Sequence, residues 1–347
     1  MKNNENDLNY LCNYSCIDFE QLINKSVLIT GATGLIGFNI ITTLLTYNSQ
    51  NEKKINIVAF VRNMTKAEKI YAEYDYESIK FIVGDITQNI DIEGPVDYII
   101  HCASQTSSKE FVNKPVEIIR TAVLGTINLL NIAREKNVKG FVFTSTMEVY
   151  GSPETDEKIE EEHGTNLNTM AVRTSYPESK RLCESICCAY ASEYNVPTKV
   201  VRLTQTFGPG VLYNDNRVFA EFTRCAIEKK DIILHTKGET KRSYLYTADA
   251  VSAILLVLIS GKTGEAYNAA NEDTYCSIYE MAKIVAKTCA NGEINVKIDI
   301  DDNAKFGYAP IQKMNLDTNK LKSLGWSTTK NLEEMYRSLY ISMQKEV

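Results

Sequence analysis

The sequence predicts a doubly wound α/β fold, in which helices cover both faces of a parallel β-sheet. Three observations predict it: a glycine-rich turn between a strand-like and a helix-like segment, the alternation of such segments that follows, and a length of 347 residues, which is enough for a sizeable core. The apolar content of 44% and the charged content of 24% are ordinary for a globular enzyme.

Short apolar runs rich in β-branched residues mark the predicted strands of this sheet. Amphipathic stretches such as residues 126–134 separate several of them and are typical of helices that cover one face of a sheet. Strands that alternate with helices pair in parallel, because each helix carries the chain back to the same end of the sheet. The predicted strands cover residues 27–30, 55–61, 79–83, 96–100, 141–145 and 199–203.

The turn after the first predicted strand reads Thr-Gly-Ala-Thr-Gly-Leu-Ile-Gly and leads into a helix-like run from Phe38. Gly31 suits the tight turn, Gly34 lets the backbone approach a phosphate, and Gly37 lets helix and strand pack closely. Backbone N–H groups at such a helix start bind the pyrophosphate of a dinucleotide. The motif therefore predicts a dinucleotide cofactor, although an ordinary glycine-rich loop has the same pattern.

A second group of residues has the composition of a proton-transfer site. Tyr176 and Lys180 stand four apart in a helical stretch, so both side chains lie on one face, roughly one turn apart. An ammonium group beside a phenol lowers the pKa of the phenol. Thr146, after the fifth predicted strand, adds a hydroxyl that can hydrogen-bond the substrate oxygen. This trio suits the removal of a proton from an alcohol while a hydride leaves its carbon.

In this order, the motifs resemble those of the extended short-chain dehydrogenases/reductases, and in particular of the NAD-dependent nucleotide-sugar epimerase/dehydratase group. The resemblance extends from Ser26 to about Trp326 and is much more specific for the superfamily than for the reaction. The matching stretches are Gly31-Ala-Thr-Gly-Leu-Ile-Gly37, Gly84-Asp85, His101-Cys-Ala-Ser104, Val149-Tyr-Gly151, the Tyr176 and Lys180 pair, Arg202-Leu-Thr-Gln-Thr-Phe-Gly-Pro-Gly210, Arg242-Ser-Tyr and Leu324-Gly-Trp326.

The resemblance implies a Rossmann fold with a smaller C-terminal substrate-binding lobe whose segments interleave with the parallel sheet. We expect a polar leader and a short helix in residues 1–25, the NAD(P)-binding domain in 26–204 and mainly the substrate lobe in 205–347. The acidic run 154–162 is interpreted as a solvated loop, and a lid over the site is the alternative.

The resemblance also implies roles for four catalytic residues. Tyr176 is the acid/base on a sugar hydroxyl, Lys180 holds the nicotinamide ribose, and Thr146 orients the substrate oxygen. Glu148 matches a glutamate of the dehydratase and decarboxylase branches, where a carboxylate can take the proton acidified by a keto group. A structural hydrogen-bond acceptor is its alternative role. Sugar 4,6-dehydratases have a proton-donating aspartate where this chain has Met147, which argues against a standard 4,6-dehydration.

The cofactor implied by the resemblance is NAD or NADP. Arg62 follows the second predicted strand, where it either accepts the 2′-phosphate of NADP or stacks on the adenine of NAD. Asp85 matches the family residue beside the adenine ring. The complete predicted cofactor-binding set is Gly31, Thr33, Gly34, Leu35, Ile36, Gly37, Arg62, Asp85, Ile86, Ala103, Ser104, Tyr176 and Lys180.

The substrate implied by the resemblance is a nucleoside-diphosphate sugar. Arg242 matches the family arginine that contacts the diphosphate, and Arg217 lies in the loop that usually lines the nucleotide. Gln205 replaces the usual asparagine and presents its amide on a longer arm. His235 falls where the family often has an aromatic residue near the nucleotide. These four side chains form the predicted substrate-binding set.

The leading hypothesis is a redox-neutral epimerase, dehydratase or decarboxylase that acts through a transient keto-sugar. A net NADP(H)-dependent dehydrogenase or reductase is the alternative, favoured by Arg62 and Met147. A third hypothesis is a dinucleotide-binding sensor without catalysis, against which the intact set of Thr146, Tyr176 and Lys180 argues. A role in polysaccharide biosynthesis follows from analogy alone.

Composition narrows the expected partners and compartment. The net charge of −6 provides no basic surplus for nucleic acid or an anionic membrane, and the N-terminal segment is too polar for a signal peptide. Nine cysteines without metal-type spacing predict reduced thiols in a cytoplasm and no metal site. The resemblance implies a homodimer that packs the Tyr176 helix, with its stretch 182–190, against a second copy, although core burial suits that stretch equally well.

Overall fold

A seven-stranded parallel sheet, covered by helices, confirms the predicted doubly wound α/β fold. The structure is a computed structural model that describes residues 1, 3–105, 108–300 and 311–345. The described strands are β1 (Ser26–Thr30), β2 (Asn56–Val61), β3 (Ile79–Val83), β4 (Tyr98–His101), β5 (Gly140–Thr146), β6 (Thr198–Leu203), β7 (Gln205–Phe207), β8 (Ile232–Leu234), β9 (Lys241–Tyr246), β10 (Ala266–Ala269), β11 (Asn271–Ser277), β12 (Val296–Ile298) and β13 (Lys313–Met314).

Helices follow most strands of the N-terminal half and form the layers on either side of the large sheet. The described α-helices are α1 (Glu5–Cys12), α2 (Leu35–Gln50), α3 (Met64–Tyr71), α4 (Ser108–Asn113), α5 (Pro115–Glu135), α6 (Ser175–Tyr194), α7 (Val218–Ile227), α8 (Thr247–Ser260), α9 (Ile278–Cys289), α10 (Asn319–Lys322) and α11 (Leu332–Gln344).

The order of the large sheet is β3-β2-β1-β4-β5-β6-β10, with every neighbouring pair parallel. The first six strands match the predicted ones to within two residues, whereas β10 was not predicted. Chain order reverses between β1 and β4, and doubly wound sheets bind their ligands in the crevice beyond such a reversal. The fold therefore places the carboxyl ends of β1, β4 and β5 around one site.

Apolar side chains bury both faces of the sheet. On one face, β1 and α8 contribute to a large cluster whose members include Val27, Ile29 and Ile254, each fully buried. On the other, Leu28 and Phe141 pack with residues of α5 and α6. Successive residues of β1 enter opposite clusters because strand side chains alternate between faces, and burial on both faces explains the continuous apolar run in the sequence.

Residues after 205 build a smaller lobe and then return to the large sheet. Strands β7, β11 and β13 pair with β9 in a second sheet, and β8 pairs with β12. Helix α8 and strand β10 lie in the same stretch of chain but pack on and extend the large sheet. The chain therefore interleaves its two parts as predicted by resemblance, and a functional division at residue 204 remains a prediction.

The first 25 residues contain an α-helix that the sequence analysis did not predict. Helix α1 buries Leu8 and Leu11 and packs on α2 and α8. Its Asp7 accepts a hydrogen bond from Tyr246 and pairs with Lys330, which ties the N-terminal segment to the C-terminal lobe. The short helix that was expected between the polar leader and the first strand is a 3-10 turn over residues 19–22.

The acidic run 154–162 is an exposed loop over most of its length, as the interpretation as a solvated loop predicted, but Ile159 and Glu161 are buried and the run is attached to the C-terminal lobe. Asp156 pairs with Lys241 at 3.1 Å and with Lys313 at 2.8 Å. Ile159 is buried and bridges to Leu316. The sequence did not show this attachment, because the two lysines that pair with Asp156 lie 85 and 157 residues further along the chain.

One described helix, Pro115–Glu135, is long and apolar enough to cross a bilayer by length and composition alone. In the fold it packs on α6 and β4, and its buried face includes Leu129 and Leu130. Core helices with one face against a sheet commonly have such a composition.

Candidate active site

The loop between β1 and α2 has a shape that requires glycine at two positions. Gly31 has φ +67°, and a Cβ there would lie 2.7 Å from the carbonyl carbon of Cys102. At Gly37 a Cβ would lie 2.4 Å from the carbonyl oxygen of Gly31. The start of α2 therefore packs directly on the loop, and its N-cap residue, Gly34, has no side chain to cap the first N–H groups. This arrangement fits the pyrophosphate of a dinucleotide.

The end of β5 brings Thr146 and Glu148 together. Thr146 is extended and caps the 3-10 turn of residues 147–150, because its Oγ1 accepts a hydrogen bond from the Glu148 N–H at 3.3 Å. The turn ends at Gly151, whose φ of 79° is in the left-handed region. Both side chains line the central cavity described below.

Tyr176 lies in the first turn of α6 and is 7% exposed. Burial raises the pKa of its phenol, and the nearby charge of Glu148 raises it further. A hydrogen bond with Thr146 and the charges of Arg173 and Arg217 act in the opposite direction. The pKa of this phenol is therefore set first by burial and then by the opposing charges inside the cavity.

Lys180 is almost fully buried one turn after Tyr176. Its Nζ donates a hydrogen bond to the carbonyl oxygen of Thr144 at 2.8 Å and lies 4.4 Å from the ring centroid of Phe143. Burial lowers the pKa of the ammonium group. The residues on β5 thus hold Lys180 on the same side of the cavity as Tyr176, and its predicted effect on the phenol remains a prediction.

Glu148 forms an ion pair with Arg173 across the mouth of the cavity. Nη2 of Arg173 lies 2.8 Å from Oε2 of Glu148, and both side chains are partly exposed. The guanidinium carbon of Arg173 lies 4.8 Å from the ring centroid of Phe111. Phe111 in turn stacks on Tyr176 with centroids 4.2 Å apart. The pair is thereby connected to the predicted acid/base residue.

The cavity has a volume of about 400 Å³ and extends from the glycine-rich loop to the C-terminal lobe. It brings together all four predicted catalytic residues, most of the glycine-rich loop and three of the four predicted substrate residues. These predicted residues in its lining are Gly31, Gly34, Leu35, Ile36, Gly37, Ser104, Thr146, Glu148, Tyr176, Lys180, Gln205, Arg217 and Arg242.

Two of the polar side chains in this lining have buried atoms without a hydrogen-bond partner among the described residues. They are Oε1 of Gln205 and Nε of Arg242. Buried polar atoms are ordinarily satisfied, so unpaired ones in a cavity wall fit a site that receives a polar ligand. Arg217 differs, because its guanidinium pairs with Asp215 at 2.6 Å.

Three predicted cofactor residues lie on the β3 side of the site. Arg62 is exposed after β2, and Asp85 is exposed after β3. The Thr87 N–H and hydroxyl lower the pKa of Asp85, with smaller effects of burial and of the charges of Arg62 and Arg120. Ile86 is buried and packs near Gly125. The structure thus leaves both interpretations of Arg62 open.

Three further predicted residues lie outside the cavity lining. The side chain of Thr33 is half-buried, and the N–H of Ala103 donates to Oγ1 of Thr30 at 3.2 Å. His235 follows β8 in the C-terminal lobe, where its Nδ1 lies 3.2 Å from the carbonyl oxygen of Asp299. A contact between His235 and a nucleotide remains a prediction.

Met147 lies in the cavity wall at the position of the dehydratase aspartate. Its side chain is 5% exposed and packs with Val149 and Tyr150. The hydroxyl of Thr204 donates to its sulfur at 3.2 Å. A thioether has no proton to give, so the wall has no acid at this point.

Ten residues of the cavity lining were not in the predicted site set, namely Cys102, Phe111, Thr144, Ser145, Met147, Arg173, Leu203, Thr204, Thr206 and Gln312. Of these, Phe111, Arg173 and Gln312 lie outside every motif quoted above. Arg173 stands three residues before Tyr176, and this spacing was the available signal for it. Phe111 is in α4, a few residues after the His101–Ser104 motif, and Gln312 directly precedes β13; neither stands within a quoted motif. No local pattern marks either as a site residue.

The part of the chain that the structure describes contains no group of three or more His, Cys, Asp or Glu residues arranged to hold a metal ion. His101 is buried between the hydroxyls of Thr30 and Thr126, at 2.9 and 3.2 Å from its ring nitrogens. Burial lowers the pKa of this imidazole to about 3, so it packs as a neutral residue at the end of β4.

Comparisons with known proteins agree with this geometry. The model of the NAD dependent epimerase/dehydratase family matches residues 27–270. A protein of Xenopus tropicalis, UDP-glucuronic acid decarboxylase 1, is 29% identical over 326 residues, which cover 93% of this chain and 73% of the relative. UDP-glucuronic acid decarboxylase 6 of Arabidopsis thaliana is 30% identical over 315 residues, covering 90% of this chain and 86% of the relative.

A solved structure has the same fold. The crystal structure of UDP-glucuronic acid 4-epimerase from Bacillus cereus, in complex with NAD, superposes with a TM-score of 0.75 at 20% identity. The match covers 92% of this chain and 99% of that one.

Proposed function

The chain belongs to the NAD-dependent epimerase/dehydratase family, and we propose that it decarboxylates a nucleoside-diphosphate uronic acid through a 4-keto intermediate. The observation that carries this proposal is the Glu148–Arg173 pair in one cavity with Tyr176, Thr146 and Lys180. The family uses NAD or NADP, and the fit of the glycine-rich loop to a pyrophosphate supports such a cofactor here.

The first step is oxidation of the sugar at C4. Tyr176 takes the proton of the C4 hydroxyl, and Thr146, which hydrogen-bonds with the phenol, orients the same oxygen. A bound oxidised nicotinamide would supply the acceptor for the hydride of C4. The positive charge of Lys180 favours the phenolate from one turn further along α6.

Loss of carbon dioxide then needs little further catalysis. A ketone at C4 stands β to the carboxylate on C5, so the C5–C6 bond can break with its electron pair entering the carbonyl group. Carbon dioxide leaves, and the resulting enolate takes up one proton at C5. Tyr176 finally returns its proton to the oxygen on C4, so the overall change gives a pentose without net oxidation or reduction.

We assign to Glu148 the delivery of the proton that the enolate takes up at C5: the carboxylate takes this proton from solvent, passes it to C5 and ends the step ionised again. Its carboxylate shares the cavity with Tyr176 and is held by Arg173 at 2.8 Å. Met147, by contrast, cannot protonate a departing hydroxyl, which disfavours 4,6-dehydration.

Positive side chains account for the choice of an acidic sugar. Arg173, Arg217 and Arg242 line the cavity, together with the buried ammonium of Lys180. Arg173 and Arg217 are paired with Glu148 and Asp215, whereas Nε of Arg242 is buried without a partner among the described residues. A nucleoside-diphosphate uronic acid has negative charge at both its diphosphate and its carboxylate. Arginine is well suited to both groups, because its planar donors match the oxygens of phosphate and carboxylate.

Release of the cofactor from purified protein, followed by mass spectrometry, tests the redox-neutral part of the proposal. Tightly bound NAD or NADP supports it and also decides what Arg62 does. A protein that instead consumes free NADPH steadily with a keto-sugar nucleotide would be the net reductase.

The Glu148→Gln variant tests the role of Glu148. We expect it to block turnover while a nucleoside-diphosphate uronic acid still changes the absorbance of the bound cofactor, because oxidation at C4 does not need Glu148. Full activity in this variant would contradict the assigned role.

We propose further that the enzyme is a cytoplasmic homodimer. Helices α5 and α6 pack on each other, and their outer surfaces expose Val116, Ile119 and Leu182 by 43 to 64%. A second copy would cover these side chains with four helices at the interface. All nine cysteines are free, which suits a reducing compartment. Light scattering on the purified protein measures the mass and would contradict this proposal if it found a monomer.

A further inference from the structure

Arg173 lies where the two predicted acid/base groups of the cavity meet. It pairs with Glu148 at 2.8 Å and contacts Phe111, whose ring stacks on Tyr176 at an interplanar angle of 5°. One arginine therefore connects the carboxylate and the phenol, although these stand on separate elements of the fold.

The backbone around Arg173 is held in place by its neighbours. The 3-10 turn of residues 172–174 leads directly into α6. The hydroxyl of Thr174 donates to the carbonyl oxygens of Asn168 and Ala171, at 2.8 and 2.6 Å. Ser175 donates to the carbonyl oxygen of Phe111 at 3.1 Å, which attaches α4 to the same turn. The guanidinium group is thus presented to the cavity from a fixed support.

We propose that Arg173 is a positioning residue for the reaction: it holds the Glu148 carboxylate in place and, through Phe111, fixes the ring of Tyr176. The inference rests on the proposed function, because it gives Tyr176 and Glu148 their acid/base roles. It also assigns a purpose to an arginine whose own contacts are a carboxylate and an aromatic ring.

The pairing has an electrostatic consequence for Tyr176. Three charged groups affect the pKa of its phenol: Glu148 from the turn after β5, Arg173 from the turn before α6 and Arg217 from the start of α7. Lys180 lies one turn further along α6. Glu148 raises the pKa of the phenol and Arg173 lowers it to a smaller extent, so the two charges of the pair act in opposite directions. Removing either partner leaves the other uncompensated.

Three variants test this coupling: Arg173→Met, Glu148→Gln and the double variant. The measurement is the pH dependence of the first half-reaction, followed as the change in cofactor absorbance on mixing with UDP-glucuronic acid. In Arg173→Met we expect a profile shifted to higher pH and a rate roughly tenfold lower at neutral pH, since a unit of pKa changes the phenolate fraction tenfold. In Glu148→Gln the profile shifts to lower pH.

The double variant and two further variants show whether Arg173 positions the acid/base groups or only stabilises the fold. The double variant removes both charges, so its profile returns toward that of the wild type. Arg173→Lys keeps the charge and restores the profile, with a lower rate because an ammonium lacks the planar donors. Arg337→Met, a matched change at an exposed ion pair on α11, leaves the profile unchanged.

If every variant kept the wild-type pH dependence of the first half-reaction and only its rate fell, this result would overturn the role assigned to Arg173. A wild-type protein whose cofactor never responds to UDP-glucuronic acid or to other nucleotide sugars would overturn the proposed function, and this inference with it. The two failures are distinguishable, because the first requires an active wild type.

Discussion

The phenyl ring of Phe111 and the phenol of Tyr176 lie face to face, with centroids 4.2 Å apart and planes inclined by 5°. Phe111 comes from α4 and Tyr176 from the first turn of α6. A flat contact on one face of the phenol restricts rotation of the ring, so its hydroxyl keeps one direction relative to Thr146. The reactivity of Tyr176 thus depends on a residue that has no polar group.

Replacing Phe111 with leucine tests this dependence. The variant keeps an apolar side chain but loses the planar surface, so we expect kcat to fall roughly tenfold, as for a small misplacement of a catalytic group. KM should change little, because the predicted substrate contacts are on other residues. Phe81→Leu is a matched control, since Phe81 stacks on Tyr76 away from the cavity. Equal kcat values for both variants and the wild type would contradict the role of the stack.

The Met147→Leu variant tests whether position 147 takes part in proton transfer. Leucine has a similar volume, and swaps of this kind in a core usually cost less than about 1.5 kcal/mol. We therefore expect kcat and the product to stay close to those of the wild type. A large loss of activity with unchanged thermal stability would show that the sulfur of Met147 has a chemical role.

Lys180→Met removes the buried ammonium and leaves the carbonyl oxygen of Thr144 without its donor. We expect at least a hundredfold loss of activity, because Tyr176 loses the cation that favours its phenolate. We also expect the purified protein to retain less cofactor, because Lys180 is predicted to hold the nicotinamide ribose. The residual rate-pH profile should move to higher pH, because a nearby cation no longer favours the phenolate. Mass spectrometry of the released cofactor and rate-pH profiles measure these effects.

Lys199→Met is the matched control for Lys180. Lys199 is also buried, donates to the carbonyl oxygen of Leu258 at 3.0 Å, and has its pKa lowered by burial to about 8. Lys199 contacts α8 and is not part of the cavity lining. Its loss should lower thermal stability while the cofactor content stays normal. Equal cofactor loss in both variants would mean that Lys180 acts only through folding.

Glu272→Gln tests how the acidic segment is attached. Burial opposes ionisation of Glu272, but hydrogen bonds from Lys158, Lys322 and Thr318 outweigh it and lower its pKa to about 2. A pKa below that of the unfolded chain stabilises the fold above about pH 4.5, and this contribution is lost as pH falls toward 2. We expect the variant to lose about 1–2 kcal/mol at pH 7, after allowance for solvent screening.

Urea unfolding at pH 7 and pH 3 measures this effect. The difference between wild type and Glu272→Gln should shrink as pH falls through that window. Glu333→Gln, which removes an exposed partner of Arg337, is a control with little expected effect. A difference that stays constant with pH would contradict the ionic origin of the stabilisation.

Local patterns in the sequence predicted most of the large sheet. Buried parallel strands such as β1 are apolar on both faces, so their sequence is a continuous apolar run. Strand β10, with only four residues and an asparagine at its centre, has no such pattern. Helix α1 is largely polar and is recognisable only from its packing, which buries Leu8 and Leu11.

The site was predictable where its residues stand in short motifs. The glycine-rich loop, Thr146, Tyr176 and Lys180 each have a fixed spacing that follows from a turn or a helix face. Gln312 comes within reach of the cavity only because β13 pairs with β9, which is a contact across the fold. Such long-range pairings leave no trace in a local pattern.

The most direct test of the proposed reaction is the mass of the product formed from UDP-glucuronic acid in heavy water. The purified protein, with its retained cofactor, is incubated with this compound, and the nucleotide sugars are analysed by mass spectrometry. Decarboxylation predicts a nucleoside-diphosphate pentose that has lost carbon dioxide and gained one deuteron on carbon. A product with all carbons of the substrate, whether a 4-epimer or a reduced sugar, would contradict the account.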